Sequence, residues 1–274
     1  MKKNMNNIGI IGAGNMGEAI IRGIKSAADK GLINAEVLVF EKDKKKILLV
    51  SKKFGARKCS GLEELINNSK AVIICVKPQD IEVLLEEIST FDLKGKIFIS
   101  IAAGVTTGYI LKKLKAKVSV VRVMPNINAL VGESVNALCK GKYASDKDIS
   151  FVKRIFSGTG ENFVVSEKQM DVITAVSGSG PAYAALFMKA LFSAAEKNGL
   201  SREHVKEMVF QTLTGTLKML KEQKLTPEVF IEKVKSKGGT TEAAFKVFDG
   251  AGFEAIILEA VSAAKKRSIE LGRK

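Results

Sequence analysis

Asn7-Ile8-Gly9-Ile10-Ile11-Gly12-Ala13-Gly14-Asn15-Met16-Gly17 is a short apolar run that breaks into three glycines spaced Gly12-x-Gly14-x-x-Gly17. An amphipathic stretch, Met16 to Ala28, follows without a gap. Apolar strand, glycine turn and helix in direct succession make this spacing far more specific than a bare string match. Gly12 permits a tight turn, Gly14 admits a ligand close to the backbone, and Gly17 lets helix and strand pack closely. Free amides and the positive dipole end at the start of the helix suit a pyrophosphate. Gly12, Ala13, Gly14, Asn15, Met16 and Gly17 are therefore candidate cofactor-binding residues.

Downstream, apolar strands are expected at residues 36–40, 71–76, 96–100, 118–123, 134–138 and 162–165, with amphipathic helices such as 80–88 between them. Strands alternating with helices imply parallel crossovers and a doubly wound sheet. After Ser166 the β-rich runs stop, and helical stretches are expected over residues 182–198, 202–222, 228–235, 242–249 and 253–271. Thr226-Pro227-Glu228 is a helix start with a capping hydroxyl and a first-turn proline. Gly199 suits a helix end. The fold class predicted is α/β: an N-terminal Rossmann-type doubly wound sheet over residues 1–165, then an all-helical C-terminal dimerisation domain over residues 166–274. Dimerisation enters because the 182–198 stretch is apolar nearly all round, including Tyr183, Leu186, Phe187, Met188, Leu191 and Phe192. A helix without a polar face needs cover on every side, and a second copy of the chain supplies it.

Composition narrows the function. The 274 residues include three cysteines without metal spacing and a single histidine, His204, on a charged helical stretch. A Ser-His-Asp site or a multi-histidine metal site is hard to build from these, and no metal is expected. Unpaired thiols suit a reducing cytosol, so the expected location is cytoplasmic. The longest apolar runs, such as Val72 to Val76, are too short for a bilayer span, and Met1-Lys2-Lys3 leads into a first strand rather than a leader. The net charge of +15 comes from lysines scattered along the chain, with only 6% aromatics. That pattern reads as a solvated surface drawing in anionic cofactors and carboxylates, with neither nucleic acid nor membrane as partner.

Further candidates follow from where strands end. Glu41 closes the second expected strand, 29 residues after Gly12, where an acid accepts bonds from ribose hydroxyls. Lys42, Lys44 and Lys45 follow at once and suit a 2′-phosphate, so NADH and NADPH both stay open. Val76-Lys77-Pro78 and Ala102-Ala103-Gly104 end two central strands, where ligands bind in open parallel sheets. In the helical half, Ser177-Gly178-Ser179-Gly180-Pro181-Ala182-Tyr183 and Gly238-Gly239-Thr240-Thr241-Glu242 each read as a polar turn opening a helix, with free amides for a small carboxylate.

With these pieces placed, the chain resembles the pyrroline-5-carboxylate reductases. The resemblance is carried by Gly12–Gly17, Val76-Lys77-Pro78, Ala102-Ala103-Gly104, Arg122-Val123-Met124-Pro125-Asn126, Ser177–Tyr183 and Gly238–Thr241, in the family's order along nearly the whole chain. It implies NADPH or NADH as cofactor and reduction of 1-pyrroline-5-carboxylate to L-proline, the last step of proline biosynthesis. It also implies a homodimer formed through interleaved C-terminal helices, with further assembly commonly into decamers. Thr241 matches the threonine that contacts the ring nitrogen. The amides of Gly239, Thr240 and Thr241 match those near the carboxylate, Ser179 lies in the substrate-side motif, and Glu167 matches a position near the substrate. Lys237 and Asn128 stand where the family often has proline, Leu62 near a usual asparagine, and Glu41 where NADPH-preferring members carry a small polar residue. Two other readings remain. A β-hydroxyacid or other imine reductase shares the layout but generally relies on a lysine in the helical domain, a role for which Lys189 and Lys197 are poorly placed. A non-catalytic dinucleotide-binding paralogue would keep the fold alone.

Overall fold

The computed structural model describes residues 6–272. The first half is an alternation of strands and helices: β1 Ile8–Ile11, α1 Asn15–Asp29, β2 Val37–Phe40, α2 Lys44–Phe54, β3 Arg57–Lys58, α3 Leu62–Asn67, β4 Ala71–Ile74, α4 Ile81–Ile88, β5 Ile97–Ser100, α5 Thr107–Leu114, β6 Ser119–Met124, β7 Ser134–Lys140, α6 Asp146–Phe156 and β8 Gly160–Val165. The rest is helical: α7 Met170–Ile173, α8 Gly180–Lys197, α9 Arg202–Glu222, α10 Pro227–Val234, α11 Thr240–Gly250 and α12 Phe253–Gly272. The doubly wound sheet and the helical C-terminal part agree with the expected fold class. Helix ends fall within two residues of the sequence reading, the usual scatter of frayed termini.

The strands form one sheet in the order β3-β2-β1-β4-β5-β6-β7-β8. Strand order reverses between β1 and β4, which pair in parallel with Ile11 beside Ile74. The crevice beyond the carboxyl ends at such a reversal is where open α/β sheets bind ligands. Central strands buried on both faces explain the continuous apolar runs. One core layer joins Ile8, Ile10, Ile73 and Ile99 to Ile20, Ile24, Ile47, Val152 and Phe156 of α1, α2 and α6. The other joins Val72, Ile74 and Phe98 to Leu65, Leu85 and Ile110 of α3, α4 and α5.

Two strand details depart from the reading of the sequence. β3 was not expected, because two exposed residues carry no apolar period; it pairs with β2 at the sheet edge. β7 runs antiparallel to β6, not by a parallel crossover. The connection between them is only a short 3-10 turn, Ile127–Val131, which cannot carry a parallel return.

By its contacts the chain divides into two compact units. One comprises residues up to Pro181 together with those from Ser262 onward; the other is Ala182–Val261. The contact boundary thus falls after the start of α8, against a boundary at 165/166 from the sequence, and the later turns of α12 count with the sheet. In the second unit the only buried apolar side chains are Val205 and Val209. Leu186, at 64% exposure, and Phe187, Phe210, Leu217, Val247, Phe248 and Leu258 face outward. No helix among the described residues is long and apolar enough to cross a membrane.

Candidate active site

The glycine turn sits at the strand-order reversal. Gly12 has φ +98°, a left-handed conformation that favours glycine, and a side chain there would press on the Cys75 carbonyl oxygen, 2.9 Å from the added carbon. At Gly17 an added carbon would lie 2.2 Å from the Gly12 carbonyl oxygen, so only glycine lets α1 start this close to the turn. Gly14 is different: an added carbon there meets nothing within 4 Å. Gly14 is also the N-cap of α1, and no side chain caps that end. The first-turn amides of Asn15, Met16 and Gly17 lie beyond the reach of intrahelical acceptors and, with the helix dipole, suit an anionic group. The turn therefore fits a pyrophosphate on two counts: open space over Gly14 and uncapped donors.

Glu41 folds back onto this turn. Its Oε2 accepts from the Ala13 amide at 2.7 Å, and its Oε1 accepts from the Asp43 amide at 2.9 Å. Asp43 in turn caps α2, its Oδ1 accepting from the Lys45 and Lys46 amides. Lys42 is exposed beside them. Leu62 is buried at the start of α3, its side chain committed to the core.

Val76-Lys77-Pro78 leaves β4 beside the glycine turn, with Lys77 exposed and Pro78 opening a 3-10 turn. Burial pushes the neighbouring Cys75 thiol up. Ala102-Ala103-Gly104 leaves β5, and Gly104 has φ +78°. A side chain on Gly104 would meet the Ser268 carbonyl oxygen at 2.5 Å and the Gly272 nitrogen at 2.8 Å, because the end of α12 rests on this loop.

Beside that loop lies a polar network of which the sequence reading singles out only Glu167 as a site residue. Arg122, only 1% exposed, reaches Glu167 Oε1 at 3.3 Å through Nη1 and Asp171 Oδ1 at 3.6 Å through Nη2. Glu167 accepts from the Thr107 amide and hydroxyl, and Ser268 Oγ donates to Asp171 Oδ1 at 2.8 Å. A charged residue inside the apolar run Val120–Val123 was the available signal, since a buried guanidinium demands partners. Glu167, expected near the substrate, has both carboxylate oxygens engaged by Thr107 and Arg122. Asn128 donates its own amide to Asn126 Oδ1 at 3.1 Å, a bond that proline could not make.

The Ser177–Tyr183 stretch is not an open turn. Thr174–Gly178 forms a π-helical turn linking α7 to α8, and the Ser179 amide donates to the Thr174 carbonyl at 3.1 Å. Pro181 lacks an amide, and its ring would collide with the Ser177 carbonyl in a regular helix, so the chain widens there. This corrects the expectation of free amides at that point. The turn packs on the end of β6 all the same, with Asn126 Nδ2 donating to Ser177 Oγ at 3.2 Å.

The second turn does open a helix. Gly238 has φ +72°, and its amide donates to Glu242 Oε2 at 2.6 Å. Gly239 is the N-cap of α11, without a side-chain cap. Its amide donates to the Ser236 carbonyl at 3.0 Å, so it is not free as expected. The donors without intrahelical acceptors are those of Thr240, Thr241 and Glu242.

Two family models match the chain: pyrroline-5-carboxylate reductase dimerisation over residues 167–271, and NADP oxidoreductase coenzyme F420-dependent over residues 7–104. The chain is 36% identical to a pyrroline-5-carboxylate reductase of Synechocystis over 97% of its own length and 98% of the relative. Among solved structures, a pyrroline-5-carboxylate reductase from Coxiella burnetii superposes with a TM-score of 0.89 at 32% identity, covering 99% of this chain and all of that one. A Plasmodium falciparum pyrroline carboxylate reductase with NADP bound gives 0.85 at 31% identity, with 98% of each chain covered. Taken with the glycine turn at the strand-order reversal and the uncapped start of α11, this full-length similarity establishes that the chain belongs to the pyrroline-5-carboxylate reductase family.

Proposed function

We propose that this chain reduces 1-pyrroline-5-carboxylate to L-proline with NADPH or NADH, as the last step of proline biosynthesis in the cytoplasm. The single observation that carries the reading is full-length similarity to a pyrroline-5-carboxylate reductase, in a chain that also carries the glycine turn and Gly239-Thr240-Thr241. When bound, the nicotinamide supplies a hydride to C5 of the cyclic imine, and the ring nitrogen keeps or gains a proton.

The chain's own residues bind and orient. Gly12–Gly17 and the uncapped start of α1 hold the pyrophosphate, with Glu41 and Lys42 on the adenosine side. Val76-Lys77-Pro78 and Ala102-Ala103-Gly104 flank the nicotinamide half, where small side chains leave room for a flat ring. The amides of Thr240 and Thr241 fix the substrate carboxylate at the positive end of α11. The Thr241 hydroxyl orients the ring nitrogen. An imine that arrives protonated needs no strong acid, in keeping with a chain that has one histidine, exposed on α9. Ser179 borders the substrate, and Glu167 acts on it indirectly, by holding Thr107 and Arg122.

The working unit is a homodimer built on the dimerisation domain, with further assembly into decamers. The outward apolar side chains of α8 and α12, and a second unit with almost no buried core of its own, support a second copy as their cover.

The assay is oxidation of NADH and of NADPH by the purified protein with pyrroline-5-carboxylate. Imine-dependent turnover is expected with at least one cofactor; none with either overturns the reading. Thr241→Ala should lower kcat by roughly a hundredfold, the low end for a positioned proton-handling group, and leave dinucleotide binding intact. Thr241→Ser should recover most of the rate.

A further inference from the structure

Resting on the dinucleotide reading above, we propose that Glu41 and Asp43 make this chain select the nicotinamide cofactor that lacks a 2′-phosphate. The selection follows from which hydrogen-bonding groups remain open at the carboxyl end of β2, where the adenosine ribose of a dinucleotide lies.

A 2′-phosphate is strongly anionic at neutral pH and only accepts hydrogen bonds, so it needs amides or cations. Four backbone amides at this corner, those of Ala13, Asp43, Lys45 and Lys46, are already taken by the chain's own carboxylates. Ala13 and Asp43 donate to the two oxygens of Glu41, at 2.7 and 2.9 Å. Lys45 and Lys46 donate to Asp43, at 2.8 and 3.4 Å. The start of α2, an anion site in other circumstances, is capped from within. The Lys46 ammonium stands 3.9 Å from Asp43 Oδ2. What remains for a phosphate are the amides of Lys42 and Lys44 and the side chains of Lys42, Lys44 and Lys45, all exposed, where water and salt weaken point charges. To bind, a phosphate would have to displace Glu41 from both amides or sit beside its charge.

A ribose diol makes the opposite demand. Its hydroxyls donate, and each carboxylate oxygen of Glu41 keeps acceptor capacity beyond its one amide. The corner is therefore an acceptor site, matched by a free 2′-hydroxyl and mismatched by a phosphate. The bond to Ala13 also ties this choice to the glycine turn: moving Glu41 aside for a phosphate would free an amide in the pyrophosphate cradle.

The test is equilibrium binding by calorimetry, without imine, of NAD+ and NADP+ to the full chain. Wild type should bind NAD+ at least tenfold more tightly than NADP+. Glu41→Ser, which opens both amides, should move that ratio at least tenfold toward NADP+. Glu41→Gln keeps the shape and an acceptor but removes the charge, and should move it less, in the same direction; it also serves if the serine variant folds poorly. Equal or tighter binding of NADP+ by wild type, or a ratio unmoved in both variants, overturns the proposal. Because no imine is present, failure of the substrate assignment leaves this result intact. Binding of neither dinucleotide overturns the cofactor reading and this proposal together.

Discussion

Arg122 and Glu167 form an ion pair at 3.3 Å that ties β6 to the segment entering the helical half, with Arg122 only 1% exposed. Removing the cation should leave Glu167 and Asp171 without their shared partner. Arg122→Met is expected to cost about 3 kcal/mol, since breaking a buried pair from one side strands the other. Glu167→Gln should cost less, about 1 kcal/mol, because Glu167 is partly exposed and an amide oxygen still accepts from Thr107. Thermal unfolding reads both, and equal melting temperatures for wild type and Arg122→Met would contradict the structural role assigned to the pair.

Gly17 and Gly14 should separate stability from binding. Gly17→Ala drives a carbon to within 2.2 Å of the Gly12 carbonyl oxygen and is expected to cost about 1–3 kcal/mol as the turn is forced apart. Gly14→Ala meets open space and should leave the melting temperature unchanged. It should still weaken dinucleotide binding, measured by NADH fluorescence, since the added methyl would occupy the place proposed for the pyrophosphate.

Gly104 and Gly272 touch backbone to backbone. A carbon added to Gly272 would lie 1.9 Å from the Gly104 carbonyl oxygen. Gly272→Ala should therefore displace the Ala102–Gly104 loop and raise the KM for cofactor several-fold, with a smaller effect on the substrate KM. A steady-state analysis in which only the substrate KM moves would place that loop away from the cofactor.

Leu186 lies on α8, which has no buried residue. Leu186→Glu puts a charge where a second copy is proposed to pack and should shift sedimentation toward monomer, with loss of turnover. An unchanged sedimentation coefficient would remove α8 from the interface.

Asp148 gives a pH signature. Burial opposes its ionisation, but hydrogen bonds from the Ser145 amide and hydroxyl and from Ser119 Oγ outweigh it and hold the carboxyl below the usual range. A carboxyl lowered in the folded state stabilises above its unfolded value, about 3.9, and that contribution is lost as pH falls through the folded value. Asp148→Ala should cost about 1–2 kcal/mol at pH 7, as the loss of a capping box does. The gap from wild type should close on acidification, which denaturant melts at neutral and acid pH can follow.

The cradle was readable because its requirements are local. Gly12, Gly14 and Gly17 serve one turn, and their spacing states the backbone that the turn needs. The helices were readable for the same reason: apolar period, a cap at Thr226, and a glycine stop at Gly199 with φ +91° are all short-range signals. β3 was invisible because two exposed residues show no period. Gly239 was misjudged as a free donor because its bond to Ser236 depends on how the turn closes. Ser177–Tyr183 looked like an open turn because glycine and serine suggest one, while the π-helical turn preceding Pro181 is a compromise between a helix and a residue that cannot join its ladder.

From composition, periodicity and glycine spacing alone came the α/β class, the dinucleotide turn and the apolar helix in need of cover, all consequences of forces acting within a few residues. Carboxylate partners were decided only by tertiary structure. Glu41 lies 28 residues from Ala13, and Glu167 is 45 from Arg122 and 60 from Thr107. An exposed acid and an acid that fills a backbone donor read alike in a sequence; the fold distinguishes them by bringing distant donors within hydrogen-bond reach and leaving few alternatives once they are there.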